Sequence, residues 1–141
     1  DSNMDGKKVL DMGCGTSILA ILARMKGAAS CTAIDIDDWC VRNSIENIEL
    51  NGVDEIEVCL GDASILADIG PFDMVIANIN RNILLADMQH YVARMNEGAT
   101  LLMSGFYVDD IPLIKAEAER LGLTFNGYKE KNRWVVTSFK R

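Results

Sequence analysis

Hydrophobic and polar positions change period repeatedly along this chain. Lys8-Val9-Leu10-Asp11-Met12 is a short, mostly apolar run that opens into glycines, the pattern of a strand covered on both faces. Residues 17–26 are rich in Ile, Leu and Ala and predict a helix, with Thr16 placed to cap it and Gly27 to close it. A second strand at 31–36 ends among the carboxylates Asp35, Asp37 and Asp38, and a helix follows over 39–50 with Asn51-Gly52 as its stop. Asp37 and Asp38 read as first-turn charges that suit the helix macrodipole. The alternation continues with a strand at 56–60, a turn at Gly61-Asp62 and the most hydrophobic strand at 72–78. Next come a helix at 82–95, a turn at 96–98 and a fifth strand at 99–104. Pro112 sits near the start of a helix running to Leu121, where its missing N–H costs no intrahelical bond. Residues 123–129 and 134–139 then read as two strands with no helix between them, paired as a hairpin across the polar turn at 130–133.

Five strands interleaved with helices predict a doubly wound, Rossmann-like α/β fold: a mostly parallel seven-stranded sheet with an antiparallel C-terminal hairpin. The 141 residues make one domain, 1–141. A composition of 49% hydrophobic and 25% charged residues excludes disorder and fibrous repeats. The net charge of −7 argues against a grip on phosphate backbones, so no direct nucleic-acid binding is expected. That charge is unevenly spread. Residues 129–141 hold Lys129, Lys131, Arg133, Lys140 and Arg141 against Glu130, a net of +4 that leaves −11 on the rest. The basic hairpin reads as a solvated edge that discourages strand pairing, and the acidic body suits a basic protein partner. Cys14, Cys31, Cys40 and Cys59 lack the close spacing of zinc or redox motifs, and His90 is the single histidine, so no metal site is expected. Free thiols and the absence of a run of ~18 apolar residues point to a cytoplasmic protein, off the membrane, and a monomer is expected.

The candidate chemistry gathers at strand ends. Asp11-Met12-Gly13-Cys14-Gly15-Thr16-Ser17 is a glycine turn between a strand and a helix, where the backbone approaches a ligand closely and unpaired N–H groups face it. Ile18 stands where a dinucleotide fingerprint needs a small residue, and no Gly-Lys-Ser/Thr makes a phosphate loop. Asp35, at the end of the second strand, can accept hydrogen bonds from both hydroxyls of a ribose; alone such a residue is more often a helix cap or a solvated charge, and the glycine turn beside it favours a nucleoside. Gly61-Asp62-Ala63 offers a carboxylate for the exocyclic amine of an adenine, or a plain turn. Asn78 closes a very apolar strand, a costly place for a carboxamide unless it finds partners.

Together these residues resemble a class I S-adenosylmethionine-dependent methyltransferase, over essentially the whole chain. More narrowly the chain is similar to the catalytic domain of the bacterial methyltransferases that modify ribosomal protein L-eleven. Val9-Leu10-Asp11-Met12-Gly13-Cys14-Gly15, Asp35-Ile36-Asp37, Ile76-Ala77-Asn78-Ile79 and Leu102-Met103-Ser104-Gly105, with the Trp134-Val135 ending, carry that match. The resemblance implies a cofactor, S-adenosylmethionine, held by Asp11, Gly13, Cys14, Gly15, Thr16, Asp35, Ile36, Asp62, Ala63 and Asn78, and left as S-adenosylhomocysteine. It implies that Asn78 and the Ile79 carbonyl accept hydrogen bonds from an amine of a ribosomal protein. Ser17 departs from the family's usual third glycine, and the family's N-terminal recognition domain is absent from this chain. Two other classes fit the same residues: a methyltransferase for a small-molecule amine or another protein, and a noncatalytic or oxidoreductase nucleotide-binding domain. Phe106 and Tyr107 stand where they would either wall a substrate channel or pack the core. For Cys14 and His90, packing and solvation respectively account for the residue without a catalytic role.

Overall fold

A computed structural model describes residues 6–13, 21, 24–131 and 134–141. Seven strands form one sheet: β1 (Lys8–Met12), β2 (Ser30–Asp35), β3 (Ile56–Leu60), β4 (Phe72–Asn78), β5 (Met95–Tyr107), β6 (Thr124–Lys131) and β7 (Trp134–Lys140). Their order is β3-β2-β1-β4-β5-β7-β6. The pairs from β3 to β5 are parallel, and β7 runs antiparallel to both β5 and β6, as the terminal hairpin requires. The strand order reverses between β1 and β4, so their carboxyl ends flank the crevice where open α/β sheets take ligands.

Three helices are described in full: α1 (Asp38–Asn51), α2 (Arg81–Ala93) and α3 (Ile111–Arg120). In the helix expected over 17–26, residues 17–20, 22 and 23 lie outside the described residues, while residues 21, 24 and 25 are helical. Asp37 is the N-cap of α1 rather than a first-turn charge: its side chain accepts the Trp39 N–H at 2.9 Å. The expected turn at 96–98 lies inside β5, which starts at Met95 and runs on to Tyr107. There Phe72 pairs with Met95 and Met74 with Thr100, so the extra residues of β5 bulge out beside Asp73. Turn-forming chemistry is present at Asn96-Glu97-Gly98, and the sheet absorbs it as a bulge because both flanks keep their pairing.

Alternation along the strands builds two cores. Leu10, Met12, Val75, Ala77, Leu101 and Met103 project from one face onto Leu84, Met88 and Tyr91 of α2 and Ile114 of α3, all buried. Val9, Cys31, Ala33, Met74 and Ile76 form a smaller cluster on the other face. Phe139 of β7 and Phe125 of β6 join the larger core with ring centroids 5.3 Å apart, which ties the hairpin to the parallel sheet. Cys31, Cys40 and Cys59 are not in disulfides, and burial raises the Cys31 thiol to a pKa of about 11.

Candidate active site

The crevice between β1 and β4 widens into a cavity of about 350 Å³. Its walls come from the carboxyl ends of four strands: Met12 and Gly13 after β1, Asp35 and Ile36 after β2, Gly61, Asp62 and Ala63 after β3, and Asn78 and Ile79 after β4. The apolar and polar lining is what a nucleoside needs, with flat surfaces for a base and fixed carboxylates for its hydroxyls and amine.

Each polar group is held by its local backbone. The Oδ1 of Asp35 accepts the Asp37 N–H at 2.9 Å, which orients the half-buried carboxylate at the rim of β2. Asp62 caps a short 3-10 helix (Ala63–Asp68), accepting from the Ser64 backbone N–H at 2.9 Å and the Ser64 hydroxyl. Those bonds from Ser64 hold its carboxyl below the usual carboxylate range. Asn80, not Asn78, caps α2, with its side chain accepting the Ile83 N–H at 3.1 Å. Asn78 is exposed at the end of β4, facing the cavity. The Ile79 N–H donates to the Ser104 carbonyl at 3.0 Å, so this segment continues the β4–β5 pairing past the strand end.

Two glycines clamp that segment. Gly13 adopts φ +70°, and a Cβ there would lie 2.9 Å from the Ile79 side chain and 3.2 Å from the Asn78 carbonyl. Gly105 adopts φ +99°, and a Cβ there would lie 2.6 Å from the Ile79 carbonyl oxygen. Asn78 and Ile79 therefore sit between two backbones at van der Waals range, which leaves the peptide one placement.

Gly13, Asp35, Ile36, Asp62, Ala63, Asn78 and Ile79 all come together around this cavity. Asp11 does not line it; the side chain is buried in β1 with 1% of its surface exposed. Cys14, Gly15 and Thr16 lie outside the described residues. Phe106 packs into the main core, whereas its neighbour Tyr107 is exposed. His90 is exposed on α2. Among the described residues no group of His, Cys, Asp or Glu is arranged to hold a metal ion.

Two lining residues, Ile83 and Asp87, escaped the sequence reading. Both sit on α2, four residues apart, so both face the crevice one turn above the other. The spacing was visible in the sequence, but the direction of that helix face is set by how α2 packs on the sheet. Burial raises the Asp87 carboxyl above its ordinary value, and the nearby Asp62 charge adds to this while His90 opposes it. Three carboxylates thus ring one cavity, an unfavourable place for a pyrophosphate and a favourable one for a ligand carrying positive charge.

The family model described as "Ribosomal protein L11 methyltransferase (PrmA)" matches residues 1–141. A ribosomal protein L11 methyltransferase of Bacteroides fragilis is 70% identical over 139 residues, 99% of this chain and 50% of that protein. The crystal structure of a ribosomal protein L11 methylase from Lactobacillus delbrueckii subsp. bulgaricus superposes with a TM-score of 0.90 at 32% identity, covering 97% of this chain and 71% of that one. Magnesium protoporphyrin IX methyltransferase from Synechocystis, with bound SAM, shares the fold at a TM-score of 0.78 and 19% identity, over 99% of this chain and 72% of its own. The chain spans about half the length of the curated relatives it matches. With Gly13, the strand-end carboxylates and the Asn78-Ile79 edge in one crevice, and with this match over its whole length, the chain belongs to the ribosomal protein L11 methyltransferase family.

Proposed function

We propose that this chain is the catalytic domain of an S-adenosylmethionine-dependent N-methyltransferase whose acceptor is an amino group of ribosomal protein L11. The observation that carries the reading is that one cavity, walled by Asp35 and Asp62, ends at Asn78 and Ile79. A nucleoside site and an amine-accepting edge are thereby contiguous. The residues present suit the cofactor: Asp35 is oriented for ribose hydroxyls, Asp62 and Ala63 edge the space for a base, and Gly13 lets the chain pass close. Cys14, Gly15 and Thr16 complete the cofactor set by family resemblance; Asp11, buried in β1, does not line the cavity. When bound, S-adenosylmethionine supplies a methyl group on a sulfonium sulfur, which displacement by a neutral amine converts to S-adenosylhomocysteine. The protein's part is alignment and exclusion of water. Lysine amines carry a proton at neutral pH, with a pKa of about 10.4, and an apolar approach favours the neutral form. The Asn78 carboxamide oxygen and the Ile79 carbonyl accept from that amine and hold its lone pair toward the methyl group. We place the reaction in the cytoplasm, with a monomeric enzyme. No described helix is long and apolar enough to cross a membrane.

The test is direct. The full-length gene product is incubated with S-adenosylmethionine and unmethylated ribosomes, and the ribosomal proteins are weighed by mass spectrometry. Mass increments on L11 in steps of one methyl group are expected. An unshifted L11 removes this substrate, and calorimetry showing tight NAD binding without S-adenosylhomocysteine binding removes the methyltransferase reading.

A further inference from the structure

The pairing of β4 with β5 ends where Asn78 meets Ser104. One more backbone bond follows, from the Ile79 N–H to the Ser104 carbonyl at 3.0 Å. Beyond it the two segments are tied by side chains. Arg81 Nη1 donates to Asp110 Oδ1 at 2.9 Å across 29 residues of sequence, and Asp110 Oδ2 accepts the Tyr107 N–H at 3.1 Å. One carboxylate thus links the first residue of α2 to the last residue of β5. The Ile79–Asn80 peptide lies between the backbone bond and this bridge.

Both partners are held for the task by their neighbours. Asp110 ends a 3-10 turn (Val108–Asp110) directly before α3, and its side chain is 17% exposed. The Arg81 guanidinium is planar, and its Nε and Nη2 both donate to Asn82 Oδ1 at 3.2 Å, which fixes the direction of Nη1 toward Asp110. Arg81, Gly105, Tyr107 and Asp110 all line a cavity of about 410 Å³, so on this side the segment meets open space rather than packed side chains. Gly105 permits its backbone to approach the Ile79 carbonyl, but a glycine supplies little attraction of its own. The bridge supplies it.

We propose that Arg81 and Asp110 are a positioning pair for methyl transfer, holding the 105–107 backbone against the 79–81 segment and thereby fixing where the Ile79 carbonyl oxygen stands. The proposal rests on the methyl-transfer reading above, in which that carbonyl accepts from the amine. Neither residue lines the cofactor cavity. Because the Arg81 side chain is 40% exposed, the pair contributes little to stability. A displacement of about 1 Å at a reacting group, by contrast, costs on the order of a hundredfold in rate.

Full-length gene products carrying R81A, D110A, both substitutions, or R81K test the pair. Single-turnover methyl transfer to unmethylated L11 is measured at saturating S-adenosylmethionine, alongside KM for L11, S-adenosylhomocysteine affinity and Tm. Each alanine variant is expected to lower the rate by roughly tenfold or more, with KM and S-adenosylhomocysteine affinity within about twofold of wild type. The double variant is expected to lose no more than either single one, as a coupled pair requires. R81K keeps a charge opposite Asp110 and is expected to recover the rate to within about threefold of wild type. Wild-type rates in both alanine variants overturn the pairing and leave the methyltransferase reading intact. Losses that multiply in the double variant also overturn it, because the two side chains would then act independently. A parallel loss of S-adenosylhomocysteine affinity does the same, since the effect would then lie in the cofactor cavity. So does a rate loss that follows a large fall in Tm and that R81K leaves in place, which would make the pair a support of the fold alone. A wild-type protein that binds S-adenosylhomocysteine but methylates no protein removes both readings.

Discussion

Two asparagines two residues apart take different roles at the end of β4. Asn80 spends its side chain on the Ile83 N–H, starting α2, and this frees Asn78 to face the crevice. Similar economy holds at β2, where Asp37 caps α1 and Asp35 turns to the cavity. The sequence reading separated Asp35 from its neighbours by its place at a strand end, and Asp35 lines the cavity. It treated Asp37 as a helix charge, because a one-residue difference in where a helix begins decides whether a carboxylate caps or merely flanks it. Asp35→Ala is expected to weaken S-adenosylhomocysteine binding by about 2 kcal/mol or more, since a charged acceptor for two hydroxyls is lost. Isothermal calorimetry reads this, and an unchanged Kd would take Asp35 out of the site.

Among the elements, β5 departs most in extent from the sequence reading. Asn96-Glu97-Gly98 carries ordinary turn chemistry, yet Met95 already pairs with Phe72 and the bulge is stitched by Asp73. Asp73 accepts the Lys8 backbone N–H at 3.0 Å and the Asn96 side-chain amide at 2.9 Å, so one carboxylate on β4 ties the start of β1 to the bulge of β5. These two bonds, the Lys8 one first, hold its carboxyl below the ordinary value of 3.8. Asp73→Ala is expected to cost about 1–3 kcal/mol at neutral pH. A depressed carboxyl stabilises the fold above its unfolded pKa and loses that contribution as pH falls through the folded one. The stability gap between wild type and variant should therefore hold from neutral pH down to about 5 and close in more acid solution. Urea titrations at several pH values measure it; a gap that persists at the acid end would show that the carboxylate's charge is not the cause.

For the whole molecule, the hairpin is not an appendage. β7 inserts between β5 and β6, and Val135 and Phe139 are buried in the main core. Removing residues 122–141 would strip the edge of β5 over the pairs from Thr100 to Tyr107 and open the core beneath it. Such a truncation is expected to aggregate and to lose cooperative melting, by size-exclusion chromatography and calorimetry. A soluble, cooperatively melting truncation would mean that the parallel half folds alone. The basic residues on this hairpin sit beside the acidic body, so the net charge of −7 conceals a polarity between the two ends of the sheet.

Period and punctuation along the chain were enough to predict seven strands, their parallel and antiparallel halves and the strand-end positions of Asp35, Asp62 and Asn78, because burial on two faces and turn chemistry are local properties of a few consecutive residues. Three-dimensional packing decided which side chains share a wall. It brought Ile83 and Asp87 from α2 into the crevice and left Asp11 outside it. It set Gly13 and Gly105 against opposite sides of Ile79 and aligned Asn78, Ser104, Val136 and Lys129 in a row. Those neighbours are far apart in sequence, and their meeting depends on strand order and register, which arise only when the hydrophobic faces of separate elements are buried against one another.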